Sequence, residues 1–195
     1  AQLQRLLDTL HSPADADRES QTASTFSSRF DFFDEEKETR VLEDVYIDNA
    51  GLVILSPYLP RYFDMLGLID GKKFKDPAAA QRAVHLLQYL VDQSADSFEH
   101  KLVLNKLFCG VETGKPLIKS IDITEKEKQV SESLLQGVIA NWPVLKNTSV
   151  AGLRESFLQR EAHLQRNEDK WQLLVQSKAF DMLMDSIPWG YSTIK

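Results

Sequence analysis

The segment Gly110-Val111-Glu112-Thr113-Gly114-Lys115-Pro116 is the chain's nearest approach to a phosphate-binding loop. That motif, G-x-x-x-x-G-K-[ST], has one more residue between its glycines and a hydroxyl after its lysine, which holds magnesium. Here a proline follows, so the spacing predicts a plain turn. The four histidines, His11, His85, His100 and His163, are scattered, with no second histidine or cysteine at the spacing that builds a helical zinc site, and no metal is expected. His85 and His100 read as hydrogen-bonded structural residues. Cys109 lies before a helix-ending glycine in an apolar run and reads as a buried thiol. A dyad with His100 is excluded by distance, since on one helix the two are roughly 13 Å apart at about 1.5 Å per residue. Asp181 and Asp185 share a helix face, which could present paired carboxylates, but a solvated face opposite Phe180, Leu183 and Ile187 accounts for them. No catalytic residue and no cofactor site follow from these groups. Asn105 interrupts an apolar helix, where a buried amide fixes register through hydrogen bonds to a neighbouring loop.

Helices must position nearly all of these groups. Asn49 is expected to cap a helix over residues 50–67 that Pro57 and Pro60 break or kink. Asp76 followed by Pro77 opens a second, with Ala83, Val84, Leu87, Leu90 and Val91 on one face. A third over 97–109 is apolar on so much of its circumference that it is expected to be the central one, closed by Gly110. Thr124 and Glu127 form a capping box ahead of a helix that Pro143 ends, and Ser149 caps the next. The period then changes: residues 163–165 and 171–175 predict a hairpin, and 189–195 a last strand. The fold class is thus mainly α, a helical domain with a two- or three-stranded sheet near the C-terminus. Trp142, Trp171 and Trp189 stand beside prolines or in apolar runs and are expected to anchor its core.

Residues 1–40 differ in character. Leu3, Leu6, Leu7 and Leu10 fall on one face of a short amphipathic helix, and a polar linker rich in Ser, Thr, Ala and Asp follows. The boundary is expected near 40, with a globular domain over 41–195. At 195 residues and 43% apolar the chain can build a core without staples, and its single cysteine rules out an internal disulfide and fits a reducing compartment. The first ten residues do not form the continuous apolar segment of a secretory signal. The longest uncharged apolar run, Gly51-Leu52-Val53-Ile54-Leu55, falls far short of the ~20 residues a membrane span requires. A net charge of −6 argues against nucleic acid and anionic membrane and leaves proteins as the expected partners. The basic clusters Lys72-Lys73-Phe74-Lys75 and Lys115 with Lys119 are read as solvated loops.

The apolar segments carry a resemblance of their own. They read VYIDNAGLVILSPYLPRYFDMLGLI, RAVHLLQYLV, HKLVLNKLFCG, NWPVLKNTSVAGLRESFLQREAHL and FDMLMDSIPWGYSTIK. In this order, with Leu104-Asn105-Lys106, Trp142, Leu145 to Ser149, Gly152-Leu153-Arg154, Phe157 to Arg160 and Pro188-Trp189, they resemble the contractile injection system tape measure protein family over residues 46–195. Residues 1–45 stand outside the resemblance, and the family pattern runs on past Lys195. The resemblance implies a structural protein, made in the cytoplasm and then held inside a phage-tail-like particle. There it would set inner-tube length and contact the spike or hub, the baseplate and the inner tube, as a homo-oligomer around the particle axis. Leu3, Leu6, Leu7 and Leu10 are the candidate partner contact. An assembly adaptor or chaperone that never stays in the tube, and a hydrolase using Asp181, Asp185 or His163, are the alternative classes.

Overall fold

Helix-start chemistry sets most of the architecture. The computed structural model describes residues 23–26, 44–167 and 170–190. The expected amphipathic helix at Leu3 to Leu10 lies outside these residues. The Asp76 carboxylate accepts from Ala79 N at 2.7 Å and Pro77 takes the first helical position, opening a helix over Pro77–Asp92. Thr124 and Glu127 close a reciprocal capping box at the start of Glu125–Asn141, which ends at Trp142 because the following proline forces extended backbone. Ser149 Oγ accepts from Gly152 N at 3.0 Å and starts Val150–Leu153, which runs on as a π turn over Arg154–Leu158. In chain order the α-helices are α1 (Leu52–Leu55), α2 (Leu59–Met65), α3 (Pro77–Asp92), α4 (Val103–Phe108), α5 (Glu125–Asn141) and α6 (Val150–Leu153).

The first helical stretch is broken where its prolines predict. A 3-10 turn over Ser56–Tyr58 carries Pro57 and separates α1 from α2, which has Pro60 in its first turn. Asn49 does not cap it. The N-cap is Gly51, without a side-chain bond, and the Asn49 amide turns inward instead. The stretch over 97–109 begins as a 3-10 turn over Glu99–Leu102 with Phe98, Glu99 and His100 exposed, and from Leu102 to Cys109 every residue but Leu107 is buried; α3 is enclosed beside it, with Ala83, Leu86, Leu87 and Leu90 at zero exposure and His85 and Gln88 also inside.

The strands are β1 (Ala23–Phe26), β2 (Asp44–Ile47), β3 (Ile69–Asp70), β4 (Lys73–Phe74), β5 (Ala162–Asn167) and β6 (Lys170–Val175). The β5–β6 hairpin forms as predicted, with Leu164 opposite Leu173 and both fully buried. A third strand, β2, pairs antiparallel to β5. Trp189 and Gly190 are not in a strand, and Tyr191 to Lys195 lie outside the described residues. On the opposite edge β1, inside the stretch read as a linker, pairs with β6, so the order is β1-β6-β5-β2. The small β3–β4 hairpin turns at Gly71 (φ 63°) in the lysine cluster, with Phe74 buried and Lys72, Lys73 and Lys75 exposed.

Candidate functional site

Several of the residues and loops singled out in the sequence hold structural contacts. Lys106 is fully buried, and its ammonium donates to Glu99 Oε1 at 2.6 Å, Thr113 O at 2.9 Å and Lys115 O at 2.7 Å. All three of its protons are used. The loop that imitates a phosphate cradle therefore turns carbonyl oxygens toward a cation, the reverse of the amide lining an anion needs. Cys109 is buried and its thiol is pushed well up by desolvation, so it stays protonated at neutral pH. Among the described residues no cluster of His, Cys, Asp and Glu could hold a metal ion. The two aspartates do not form a solvated pair: Asp181 accepts both guanidinium nitrogens of buried Arg160, at 2.7 and 3.0 Å, while Asp185 is exposed. Arg160 also reaches Gln176 O at 2.6 Å and lies over the Phe180 ring, tying the last 3-10 segment, Ala179–Ser186, to the end of β6.

Asn105 lies at the centre of a buried amide cluster. Its Nδ2 donates to Val84 O at 3.0 Å, and its Oδ1 accepts from Asn49 Nδ2 at 2.8 Å. The Asn49 amide also lies 2.9 Å from both Gln88 Oε1 and Lys101 O, so two N–H groups are shared among three acceptors. Gln88 in turn donates to Asp92 at 2.7 Å. The cluster locks α3, α4 and the end of β2 together. Asn49 and Gln88 were missed in the sequence, although Gln88 falls one turn after Val84 on the apolar stripe of α3, which was its signal. Asn49→Ala and Asn105→Ala should each cost about 1–3 kcal/mol, with a coupling of about 0.5–3 kcal/mol in a double-mutant cycle. Strictly additive urea denaturation energies would show that the amides do not act as a unit.

The tryptophans occupy three environments. Trp142 is completely enclosed, with Nε1 bonded to Ser186 Oγ at 3.0 Å and its ring 4.8 Å from Phe157. Trp189 is half-buried, donating to Ile54 O at 3.1 Å and meeting Tyr58 edge-on. Trp171 on β6 is half-buried against the core.

A groove of about 570 Å³ lies where β2 and β6 finish and β5 begins, lined among others by Tyr46, Asp48, Lys101, His163, Leu174 and Gln176. Tyr46 stacks on His163 at 4.6 Å and 11°, yet is 80% exposed. Asp44 lies 3.2 Å from His163 Nε2, and Lys101 pairs with Asp48 at 2.5 Å on the rim. Beside it exposed Phe98 stacks on His100 at 5.8 Å.

The sequence as a whole matches the family described as contractile injection system tape measure protein, over residues 2–195. The chain belongs to that family. The match takes in residues 2–45 as well, which the resemblance in the apolar segments had left out. No curated protein and no solved structure matches the chain. Among the described residues of this tape measure family member no helix is long and apolar enough to cross a membrane.

Three titrating groups make its folding pH-dependent. Burial pushes the Glu127 carboxyl up, but hydrogen bonds from Arg82 and Thr124 outweigh this and hold it below its ordinary 4.5. Asp181 is likewise raised by burial and lowered further by Arg160 and Lys178, to below 3.8. Burial lowers His85 below 6.5. In each case the unfolded chain binds protons more readily, so stability rises with pH. The His85 contribution should fade as pH falls below its ordinary value, and those of Glu127 and Asp181 below theirs. Urea midpoints should fall from pH 7 toward 3, with the acid part flattened in Glu127→Gln. A midpoint constant across that range would overturn this.

Proposed function

We propose that this chain is a non-enzymatic structural component of a phage-tail-like contractile particle, which sets the length of the inner tube and is anchored at the spike and baseplate. The observation that carries the reading is the family match along essentially the entire sequence. The anchor is the globular part from about residue 41 together with β1, which joins its sheet, and the amino-terminal segment ahead of β1 connects it to the measuring portion, with Leu3, Leu6, Leu7 and Leu10 as its packing contact. A lone helix of ten residues is marginal in water, so that stripe needs a partner. Copies of the chain gather around the particle axis, where rotational symmetry offers each an equivalent surface. Assembly takes place in the cytoplasm, and the chain then stays inside the particle.

The test is deletion of the gene, with particle lengths measured by electron microscopy and the chain sought in purified particles. The ruler reading expects the chain in intact particles and a lost or broadened length distribution without it. Disturbed lengths with the chain absent from purified particles would favour an assembly chaperone. Normal yield and length after deletion would end both readings.

A further inference from the structure

Two exposed surfaces of the folded chain are of opposite character. The first is the groove where β2 and β6 finish and β5 begins. Tyr46 keeps 80% of its surface in solvent there although His163 stacks on its ring, and Phe98 beside it is 69% exposed. Lys101 is the one lysine or arginine lining the groove, and Asp48 takes it. Glu161 pairs with no lysine or arginine among the described residues, and Asp44 has only the His163 imidazole, which is charged only if protonated. The groove is aromatic with an anionic rim.

The second surface is the β3–β4 hairpin. Phe74 fixes it to Phe63 in the core, ring to ring at 5.2 Å, and leaves Lys72, Lys73 and Lys75 exposed around the turn at Gly71. None of the three lysines pairs with a carboxylate among the described residues. The hairpin leads straight into the N-terminus of α3, whereas the groove wall meets that helix through Asn49, which binds both Gln88 and Lys101 O. Asp76 and Gln88 are about 18 Å apart at about 1.5 Å per residue. A hairpin fixed so far along α3 does not reach its own groove. Complementary patches at separate places on one chain make a head-to-tail contact, which closes into a ring or runs on as a stack.

We propose that the β3–β4 hairpin of one copy docks in the groove of the next, with Lys72 and Lys73 over the Tyr46 and Phe98 rings and against Asp44 and Glu161. An ammonium is drawn to the face of an exposed ring, and complementary charge fixes the register of the two copies. A hairpin tip in a groove of this size is a small contact, so free chains pair weakly and a closed ring holds them firmly. This rests on the reading that copies gather around one axis. Its own failure is read in solution, whereas that reading fails on the content of purified particles.

The test is sedimentation velocity of the full chain over rising concentration. The sedimentation coefficient should climb with concentration at about 0.1 M salt and stay at the monomer value at about 1 M, where exposed charges are screened. Lys72→Glu with Lys73→Glu, and in a separate chain Asp44→Lys with Glu161→Lys, should each stay monomeric with an unchanged far-UV spectrum. Mixing the two should restore association, since native then meets native and reversed meets reversed. A parent chain that is monomeric throughout, or a mixture that does not associate, overturns the proposal. In a second measurement, Lys73→Cys chains mixed with Tyr46→Cys chains and oxidised gently should be linked to each other, without competition from buried Cys109. Tyr46→Cys chains linked mainly to themselves would set groove against groove and overturn it as well.

Discussion

Gly51→Ala should leave little folded protein, with a loss of more than about 5 kcal/mol, beyond the range of ordinary substitutions. A Cβ at this position would stand 1.8 Å from Phe157 O and 2.5 Å from the Leu158 Cα. Both are backbone atoms, and Gly51 N donates to Leu158 O at 3.2 Å, so neither strand of chain can retreat without breaking that bond. Backbone strain plays no part, because Gly51 has φ −64°. Gly137→Ala is the control: nothing lies within 4 Å of its Cβ position, and inside α5 the alanine should stabilise by about 0.5–1 kcal/mol. Thermal denaturation of the two variants gives opposite signs. A Gly51→Ala protein melting within a few degrees of the parent would refute the close approach.

Trp142→Ala should cost about 3–5 kcal/mol, the range for emptying a large aromatic from a core. The ring is enclosed by Phe157 at 4.8 Å and Trp189 at 6.2 Å, and the indole N–H holds Ser186. Its removal opens a cavity and also frees the Ala179–Ser186 segment, so the loss should exceed that of Trp171→Ala, where the ring is only half-buried. At about 2–4 °C per kcal/mol for a chain of this size, the melting temperature should drop by roughly 10 °C. A drop no larger than that of Trp171→Ala would show that Trp142 does not hold the segment.

Caps and proline breaks were legible because their chemistry is local: Asp76, Thr124 and Ser149 act on backbone amides within the next turn. The β5–β6 hairpin was legible for the same reason. The strand β2 was not, since four residues with one buried side chain carry no periodicity, and Asn49 beyond it looks like a cap until three distant acceptors draw its amide inward. The same distance hid the Arg160–Asp181 pair and the groove. Tyr46, His163 and Leu174 have no common pattern in the sequence and meet only through strand register. The family resemblance lay in apolar segments that build the core, and those say little about residues 1–45.

The sheet also sets a timetable for synthesis. Ala23 pairs with Leu174 and Asp44 with Gln165, so both outer strands leave the ribosome long before the hairpin that receives them. At about 5–20 residues per second the wait is on the order of ten seconds. Pairings of such sequence separation are slow to close, and an early strand is open to other chains in the interval. The helical middle can collapse during translation, whereas the sheet is completed only when the last quarter of the chain has emerged. A chain truncated before residue 160 would therefore keep many of its helices and lose every partner for β1 and β2, and a nascent-chain protease experiment should find β2 cleavable until β5 is made and β1 until β6 is made.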